Sequence, residues 1–451
     1  MATVNLPDVE DTLPKGWVIS ELEECIEKVL DYRGKTPRKV GGDWSDRGFR
    51  AISAKNIKNG RLVSIESIRF VDEVIYDKWM KDEVKKEDIL LTSEAPLGEI
   101  LFWDSDEKIV LSQRVFGIRA NKAKVYPKYL NAYMHSAFFR QELNRRATGT
   151  TVLGIRQTEL LKTAVILPLM SEQIQIGDLY SHISDKIGLN AQLNQTLEDM
   201  ARAIFKSWFV DFDPVRAKVA GKPTGLPKEI SDLFPSRLVH SDLGEIPEGW
   251  REKHLSEIAS SIRGKSYTSN DLQEAENALV TLKSFSRGGG YRADGLKSYS
   301  GGYKPEQVVS PGEIVVSCTD VTQNAEVIGR PAIVRTDKRY KLLIASQDLM
   351  IVRPKLSAVG VGYLYCLLRT DAFTNHTYAH STGTTVLHLF KEAVPTFTFC
   401  CPTEPIIKVF SSIADSIYKK IDLLGLETEN LTLIRDTLLP KLMSGEIRVN
   451  Q

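Results

Sequence analysis

The chain has 451 residues, room for two to four ordinary domains, and its 42% apolar and 26% charged residues are the balance of a globular protein. A net charge of +1 excludes a globally basic nucleic-acid binder, so any DNA contact must come from local patches. The cysteines Cys25, Cys318, Cys366, Cys400 and Cys401 form no CxxC pair and are odd in number. This excludes a zinc or disulfide framework and favours reduced, mostly buried thiols in a cytoplasmic protein.

The opening, MATVNLPDVEDTLPKGW, has no basic n-region and no apolar h-region, so no secretory signal is expected. No apolar run approaches the ~20 residues of a membrane span. From Asp31 to Arg61, nine lysines and arginines face three aspartates, a local charge of +6, with Asn56, Trp44 and several glycines among them. Arg33, Lys35, Lys55 and Asn56 are its candidate DNA contacts. A solvated flexible loop is the competing reading. Asp88-Ile-Leu-Leu-Thr92 is a β-type run. Thr148-Gly-Thr-Thr-Val152 offers hydroxyls and amides to phosphate, or is a structural turn before a strand. The turn is the preferred reading, because the element recurs unchanged below and cannot supply two specificities.

From Ser171 to Phe209, Ile176, Leu179, Ile183, Ile187, Leu193, Leu197, Met200 and Ile204 recur mostly at steps of three and four, one face of a long helix. Residues 211–245, rich in Pro, Gly and Lys, read as a connector.

The plan then starts again. Leu13-Pro-Lys-Gly-Trp17 recurs as Ile246-Pro-Glu-Gly-Trp250, and Arg33-Gly-Lys35 as Arg263-Gly-Lys265. Ile89-Leu-Leu-Thr-Ser93 recurs as Ile314-Val-Val-Ser-Cys318, and Ser112-Gln113 as Ser346-Gln347. Thr148–Val152 recurs identically as Thr382–Val386, and Pro168 as Pro402. Two copies are too few for a solenoid but suit an object with approximate two-fold symmetry. The second copy has its own basic stretch between Thr281 and Lys304, a local +4 that contains Ser286-Arg-Gly-Gly-Gly-Tyr-Arg292. Arg287, Tyr291 and Arg292 are its candidate contacts: glycines let backbone N–H groups approach phosphate, and arginine reads guanine with two hydrogen bonds. From Thr403 to Leu439 a second helical stripe follows, through Ile406, Phe410, Ile413, Ile417, Ile421, Leu424, Leu431, Ile434 and Leu438. Pro440 should stop or kink it.

A helix of about 35 residues is roughly 50 Å long and cannot bury its stripe in a small domain, whereas two such helices can cover each other. The expected fold is α+β: two mixed α/β domains separated by two long helices packed as an antiparallel coiled coil, with pseudo-two-fold symmetry. Domains are expected at 1–168 and 246–402, with helices in 169–210 and 403–451 and a connector at 211–245. Ile183, Leu197, Phe205, Trp208, Ile413, Leu424 and Leu438 are the candidates for helix pairing and partner docking. Both stripes have a polar interruption, near Asn190 and Thr428, which is either local imperfection or a buried polar contact that fixes register.

Catalytic patterns are missing from the sequence. There is no Asn-Pro-Pro-Tyr-type methyltransferase loop, Gly-rich cofactor loop, Walker A sequence, GxSxG or HExxH. Glu83-Val-Lys85 alone does not make a nuclease site. His376 and His380 have metal-chelating helical spacing, with only His388 as a third ligand, and a surface or groove-facing role is preferred.

Ala203-Ile-Phe-Lys-Ser-Trp-Phe-Val-Asp-Phe-Asp-Pro-Val-Arg216 and Arg435-Asp-Thr-Leu-Leu-Pro-Lys-Leu-Met-Ser-Gly-Glu-Ile447 resemble the central and distal conserved regions of type I restriction–modification specificity subunits. The Pro-x-Gly-Trp openings and the Thr-Gly-Thr-Thr elements fit the same family. The resemblance implies a non-catalytic subunit whose two target recognition domains each read one half of a split double-stranded DNA site. It implies that the helices set the spacer between the halves. Two methyltransferase subunits and two restriction–translocase subunits would be its partners, bringing S-adenosylmethionine, ATP and magnesium; this chain would bind none of them and no metal. The competing readings are a coiled-coil protein scaffold without DNA readout, and a stand-alone DNA methyltransferase or nuclease.

Overall fold

The computed structural model describes residues 13–322 and 324–449. Residues 1–12, on which the expectation of no secretory signal mainly rests, lie outside the described residues. The chain divides into two compact units, residues 1–189 with 428–451, and residues 190–427.

In the first unit the main sheet is antiparallel, in the order Ile26–Asp31, Val115–Ala120, Asp88–Ser93, Leu97–Trp103. The run read as a strand from Asp88 is buried at every position, as a continuous apolar stretch in a sheet centre requires. A smaller sheet sets Phe49–Ile52 between Arg69–Val71 and, in parallel, Ile109–Leu111. Val18–Glu21 pairs with Ala164–Leu167, and the latter strand feeds the first long helix, Met170–Phe209. Two shorter helices, Pro127–Met134 and Ala137–Arg146, precede it. Tyr129 and Tyr133 on the former are fully buried. Their hydroxyls donate to the carbonyls of Ile166 (2.6 Å) and Ala164 (3.0 Å), tying helix to strand.

The second unit repeats this plan. Its main sheet runs Ala259–Arg263, Leu349–Pro354, Ile314–Ser317, Pro331–Ile333, again antiparallel. Asn277–Val280 pairs in parallel with Leu342–Ala345. Arg251–His254 pairs with Thr398–Cys401, and the helices Val361–Leu368 and Asp371–Ala379 stand where their counterparts stand in the first copy. The duplication in sequence is a duplication of fold.

Each unit takes in part of both long helices, the second of which is Glu404–Ser444. In the first unit, Ile176 and Tyr180 share a core with Leu439, Leu442 and Met443. Arg448, just past the helix end, reaches Glu172, while Arg435 lies beside Tyr180. In the second unit Asn190 meets Glu427, and the rings of Phe205 and Trp208 lie 5.4 and 6.0 Å from that of Phe410. Within each unit, later positions on one helix meet earlier positions on the other, so the segments run antiparallel.

Of the pairing candidates, Phe205, Trp208 and Leu424 are buried, and Ile183, Leu197, Ile413 and Leu438 are half-buried. The buried three are occupied in packing within the chain. Leu179, Leu193, Met200 and Ile434, counted in the stripes, are instead 37, 38, 50 and 46% exposed. Steps of three and four do not match 3.6 residues per turn over forty residues, so such a stripe drifts around the helix.

Two expectations need correction. Pro440 does not end the second helix, which continues to Ser444. An interior proline costs about 3 kcal/mol. Leu439, Leu442 and Met443 around it are buried, and each such side chain returns about 1.5–3 kcal/mol. Gly445 then turns the chain at φ +74°, where a Cβ would lie 2.2 Å from Pro14 Cγ.

The stretch 211–245 is not a bare tether. It carries helices Asp213–Val219 and Lys228–Ser231 and a hairpin of Leu238–Ser241 with Gly244–Pro247. Val215 and Phe234 are buried in the second unit's core with Trp208 and Trp250. Its prolines and glycines mark turns between these pieces.

All five cysteines are free. Burial pushes the thiols of Cys25 and Cys401 up to about 11, and those of Cys318, Cys366 and Cys400 up to about 12, which keeps them protonated and unreactive. Among the described residues no helix is long and apolar enough to cross a membrane.

Candidate nucleic-acid interface

The basic stretch of the first unit folds into short turns. Thr36 caps the 3-10 turn Pro37–Val40 by accepting from the Lys39 amide, and Ser53 and Asn56 close a second turn. Arg33 lies flat over Phe116, 3.8 Å from the ring centroid, and holds both oxygens of Asp31 at 2.8 Å. Its guanidinium is therefore pre-positioned rather than waving in water. Lys35 donates to the Trp79 carbonyl at 2.7 Å, and burial followed by nearby Lys81 lowers its pKa. Lys55 is exposed, on the rim of a hollow of about 220 Å³ that also includes Trp44, Arg69 and Gln113. Asn56 is fully buried. Its amide accepts from Ser53 and donates toward the carbonyls of Val63 and Ser64 and the Ser67 hydroxyl. It shapes the loop and has no face free for a base.

In the second unit the Gly-rich loop is a closed turn. Gly288, Gly289 and Gly290 all have positive φ, and their N–H groups donate to the carbonyls of Glu326, Ser286 and Pro331. The expectation that these amides approach phosphate is therefore corrected: internal bonds already use them. Tyr291 is half-buried and packs against the apolar cluster of this unit, with its hydroxyl oxygen buried. Arg287 is 79% exposed in a loose 3.5 Å pair with Glu326. Arg292 grips Asp294 with two hydrogen bonds.

The repeated motifs, of which Thr148–Val152 reads from sequence as a structural turn, meet around one hollow of about 720 Å³ in the first unit. Arg33 and Gly34 come from Arg-Gly-Lys, Ser93 from the central strand, Gln113 from Ser-Gln, and Thr148 and Val152 from Thr-Gly-Thr-Thr-Val. Thr148 bridges Gly154, which also bridges Glu94. Gly149 has φ +123°, and a Cβ there would sit 2.1 Å from the Val152 carbonyl. The second unit reproduces the loop: Thr382 pairs with His388, which also pairs with Thr319, and at Gly383, φ +116°, a Cβ would sit 2.0 Å from the Val386 carbonyl oxygen. Arg263 donates to the Gln347 carbonyl at 2.6 Å, and Lys265 bridges Ser346. The residues passed over by sequence reasoning are Lys39, Arg114 and Arg156, which line the first hollow. Their signal was their position, since Arg114 directly follows the repeated Ser-Gln and Arg156 lies four residues after the repeated Thr-Gly-Thr-Thr-Val.

The Nε2 of His376 lies 2.8 Å from the Ala393 carbonyl, and its ring stacks on that of His380 at 4.2 Å. Among the described residues no His, Cys, Asp and Glu group of three or more is placed to hold a metal ion.

Residues 14–199 match the type I restriction modification DNA specificity domain. The chain is 27% identical over 425 residues to the specificity subunit of the HindI type I restriction enzyme of Haemophilus influenzae, covering 81% of this chain and 88% of that one. It is 24% identical over 449 residues to the MjaIX specificity subunit of Methanocaldococcus jannaschii, covering 97% and 95%. Its fold is similar to that of the type I restriction–modification S subunit from M. genitalium, with a TM-score of 0.57 over 95% of this chain and 96% of that one at 15% identity. Over nearly its whole length the chain is thus similar to type I restriction–modification specificity subunits, and residues 14–199 match their DNA specificity domain.

Proposed function

We propose that the chain is the non-catalytic DNA sequence-specificity subunit of a type I restriction–modification complex, with each unit reading one half of a bipartite duplex site. The observation that carries this reading is the duplicated fold with diverged charged loops: Arg287 and Arg292 in one copy and Lys55 in the other present different side chains on the same frame. Recognition domains at 1–168 and 246–402 would read the halves, and the long helices would set the unread spacer. Two methyltransferase subunits would dock on this helical frame, and two restriction–translocase subunits would complete the complex. These partners would carry S-adenosylmethionine, ATP and magnesium, and the complex would work in the cytoplasm.

The test is a map of methylated adenines in the host genome with and without this gene. A split motif, methylated once in each half on opposite strands and lost on deletion, is expected. An unsplit motif, or no change, would overturn the proposal. The scaffold and stand-alone enzyme readings are not favoured by the specificity domain that residues 14–199 match or by the specificity subunits to which the chain is similar.

A further inference from the structure

We infer that the hollow lined by the repeated motifs of the first unit grips the DNA backbone phosphate, independently of sequence, and that its counterpart in the second unit has lost most of this grip. The inference rests on the DNA reading proposed above and assigns a different task to Lys39, Arg114 and Arg156, with the DNA-contact candidate Arg33 lining the same hollow.

Three observations carry it. First, the frame of the hollow is built from the elements that recur in both copies, so the frame itself cannot distinguish the two half-sites. Backbone phosphate is common to every half-site, and bases are not.

Second, the hollow is basic and its cations are of two kinds. Arg33 and Arg114 are held by the carboxylates of Asp31 and Glu94, at 2.8 and 3.0 Å. Arg156 and Lys39 are exposed, and among the described residues neither pairs with a carboxylate. Four cations thus face two carboxylates around the Thr148 hydroxyl. A phosphate oxygen fits such a set: Arg114, Arg156 and Lys39 supply donors and net attraction, while Arg33, whose fork Asp31 occupies, fixes the wall of the hollow.

Third, the same positions in the second unit carry different charges. Arg114 corresponds to Asp348, which follows the repeated Ser-Gln, and Arg156 to Phe390, which stands four residues after the repeated Thr-Gly-Thr-Thr-Val. Asp348 accepts from the Thr319 hydroxyl at 2.8 Å, and Phe390 is 53% exposed. Of the cations only Arg263, the partner of Arg33, is retained, and it is turned onto the Gln347 carbonyl. The frame is shared while the anion-binding side chains are not.

The test uses the full chain assembled with its methyltransferase partner. Binding to a random-sequence 30-base-pair duplex pool is measured across a salt series, and the bound fraction is sequenced. R156F and R114D, which place the second unit's side chains in the first, are expected to weaken binding of all duplexes by about tenfold each. The slope of log affinity against log salt should fall by about 1 per lost contact, and the enriched motif should be unchanged. F390R, on an exposed position of the other unit, is expected to strengthen binding and steepen the slope, a gain that misfolding cannot imitate. Unchanged affinity and slope in R156F and R114D, loss of one half of the enriched motif, or no gain in F390R would overturn the inference. Loss of half the motif would make these arginines base readers and leave the DNA function standing. A wild-type complex that retains no duplex at any salt would sink the DNA reading itself, and this inference with it.

Discussion

Asn190 donates a hydrogen bond of 2.8 Å from Nδ2 to the Glu427 carboxylate, and it is only 1% exposed. The polar interruption of the two helical stripes is therefore a contact and not an imperfection; it lies one residue from Thr428, where the second stripe was read as broken. A slip of one helix along the other would leave an amide and a carboxylate without each other, which opposes the slip. Asn190→Ala is expected to lower stability by about 1–3 kcal/mol, measured by urea unfolding of the full chain. The double replacement Asn190→Leu with Glu427→Leu should recover much of that loss, because removing both partners is cheaper than orphaning one. A neutral Asn190→Ala would show that the bond holds nothing.

Glu172 gathers three distant parts of the first unit. Its Oε2 accepts from the Trp17 indole at 2.9 Å, and its Oε1 accepts two bonds from Arg448 at 2.8 and 2.7 Å. Its side chain is 4% exposed. Glu172→Ala orphans the buried indole and releases the arginine, at an expected cost of about 1.5–3 kcal/mol. In the second copy the Trp250 indole N–H has no hydrogen-bond partner among the described residues. Tryptophan-to-phenylalanine changes should accordingly cost more at Trp17 than at Trp250. Equal losses at both sites, by thermal or chemical unfolding, would show that packing alone holds the pair.

His135 supplies a pH signature. Its Nδ1 lies 2.9 Å from the Asn131 carbonyl, which can only accept, so Nδ1 carries a proton. Burial, followed by the positive charges of Arg435 and Arg140, pushes its pKa down to about 4 against the Asn131 bond. An unfolded histidine titrates near 6.5. Between those values the unfolded chain binds more protons than the folded one, so this contribution is intact above pH 6.5 and is lost as pH falls toward 4. The slope approaches about 1.4 kcal/mol per pH unit in that window. His135→Gln should flatten the stability profile between pH 6.5 and 4. A variant with the wild-type slope would assign that slope to other groups.

The sequence made the frame legible because repetition is a long-range signal: Trp17 with Trp250, and the Asp88 run with the Ile314 run, fix corresponding elements without any knowledge of contacts. The helices were legible because periodicity survives over forty residues, although Leu179 and Met200 show that it does not specify which residues stay buried once the helix rotates. The fold of 211–245 was hidden because Phe212, Val215 and Phe234 sit among turn residues and have no period of their own. The hollow was hidden because Arg33, Gln113, Thr148 and Arg156 are far apart in the chain and meet only when the sheet is formed. Local charge picked out Asn56 and Tyr291, whose polar groups are buried, since charge density around a residue does not reveal where its own polar group points.

Arg287 and Arg292 separate exposure from availability. Arg287 is free to trade a 3.5 Å contact with Glu326 for a base edge or phosphate, whereas Arg292 must first break a two-pronged grip on Asp294. A bidentate arginine–guanine contact is worth about 1–3 kcal/mol of discrimination. Both substitutions, Arg287→Ala and Arg292→Ala, are expected to weaken binding to one half-site only, with the larger effect at Arg287. Asn56→Ala, in contrast, should loosen its loop and lower stability by about 1–3 kcal/mol, the cost of a broken buried hydrogen-bond set. Its effect on DNA affinity should track the fraction unfolded. Affinity measured at moderate salt alongside the melting temperature distinguishes these cases. Unchanged half-site binding in both arginine variants would remove this loop from the reading surface.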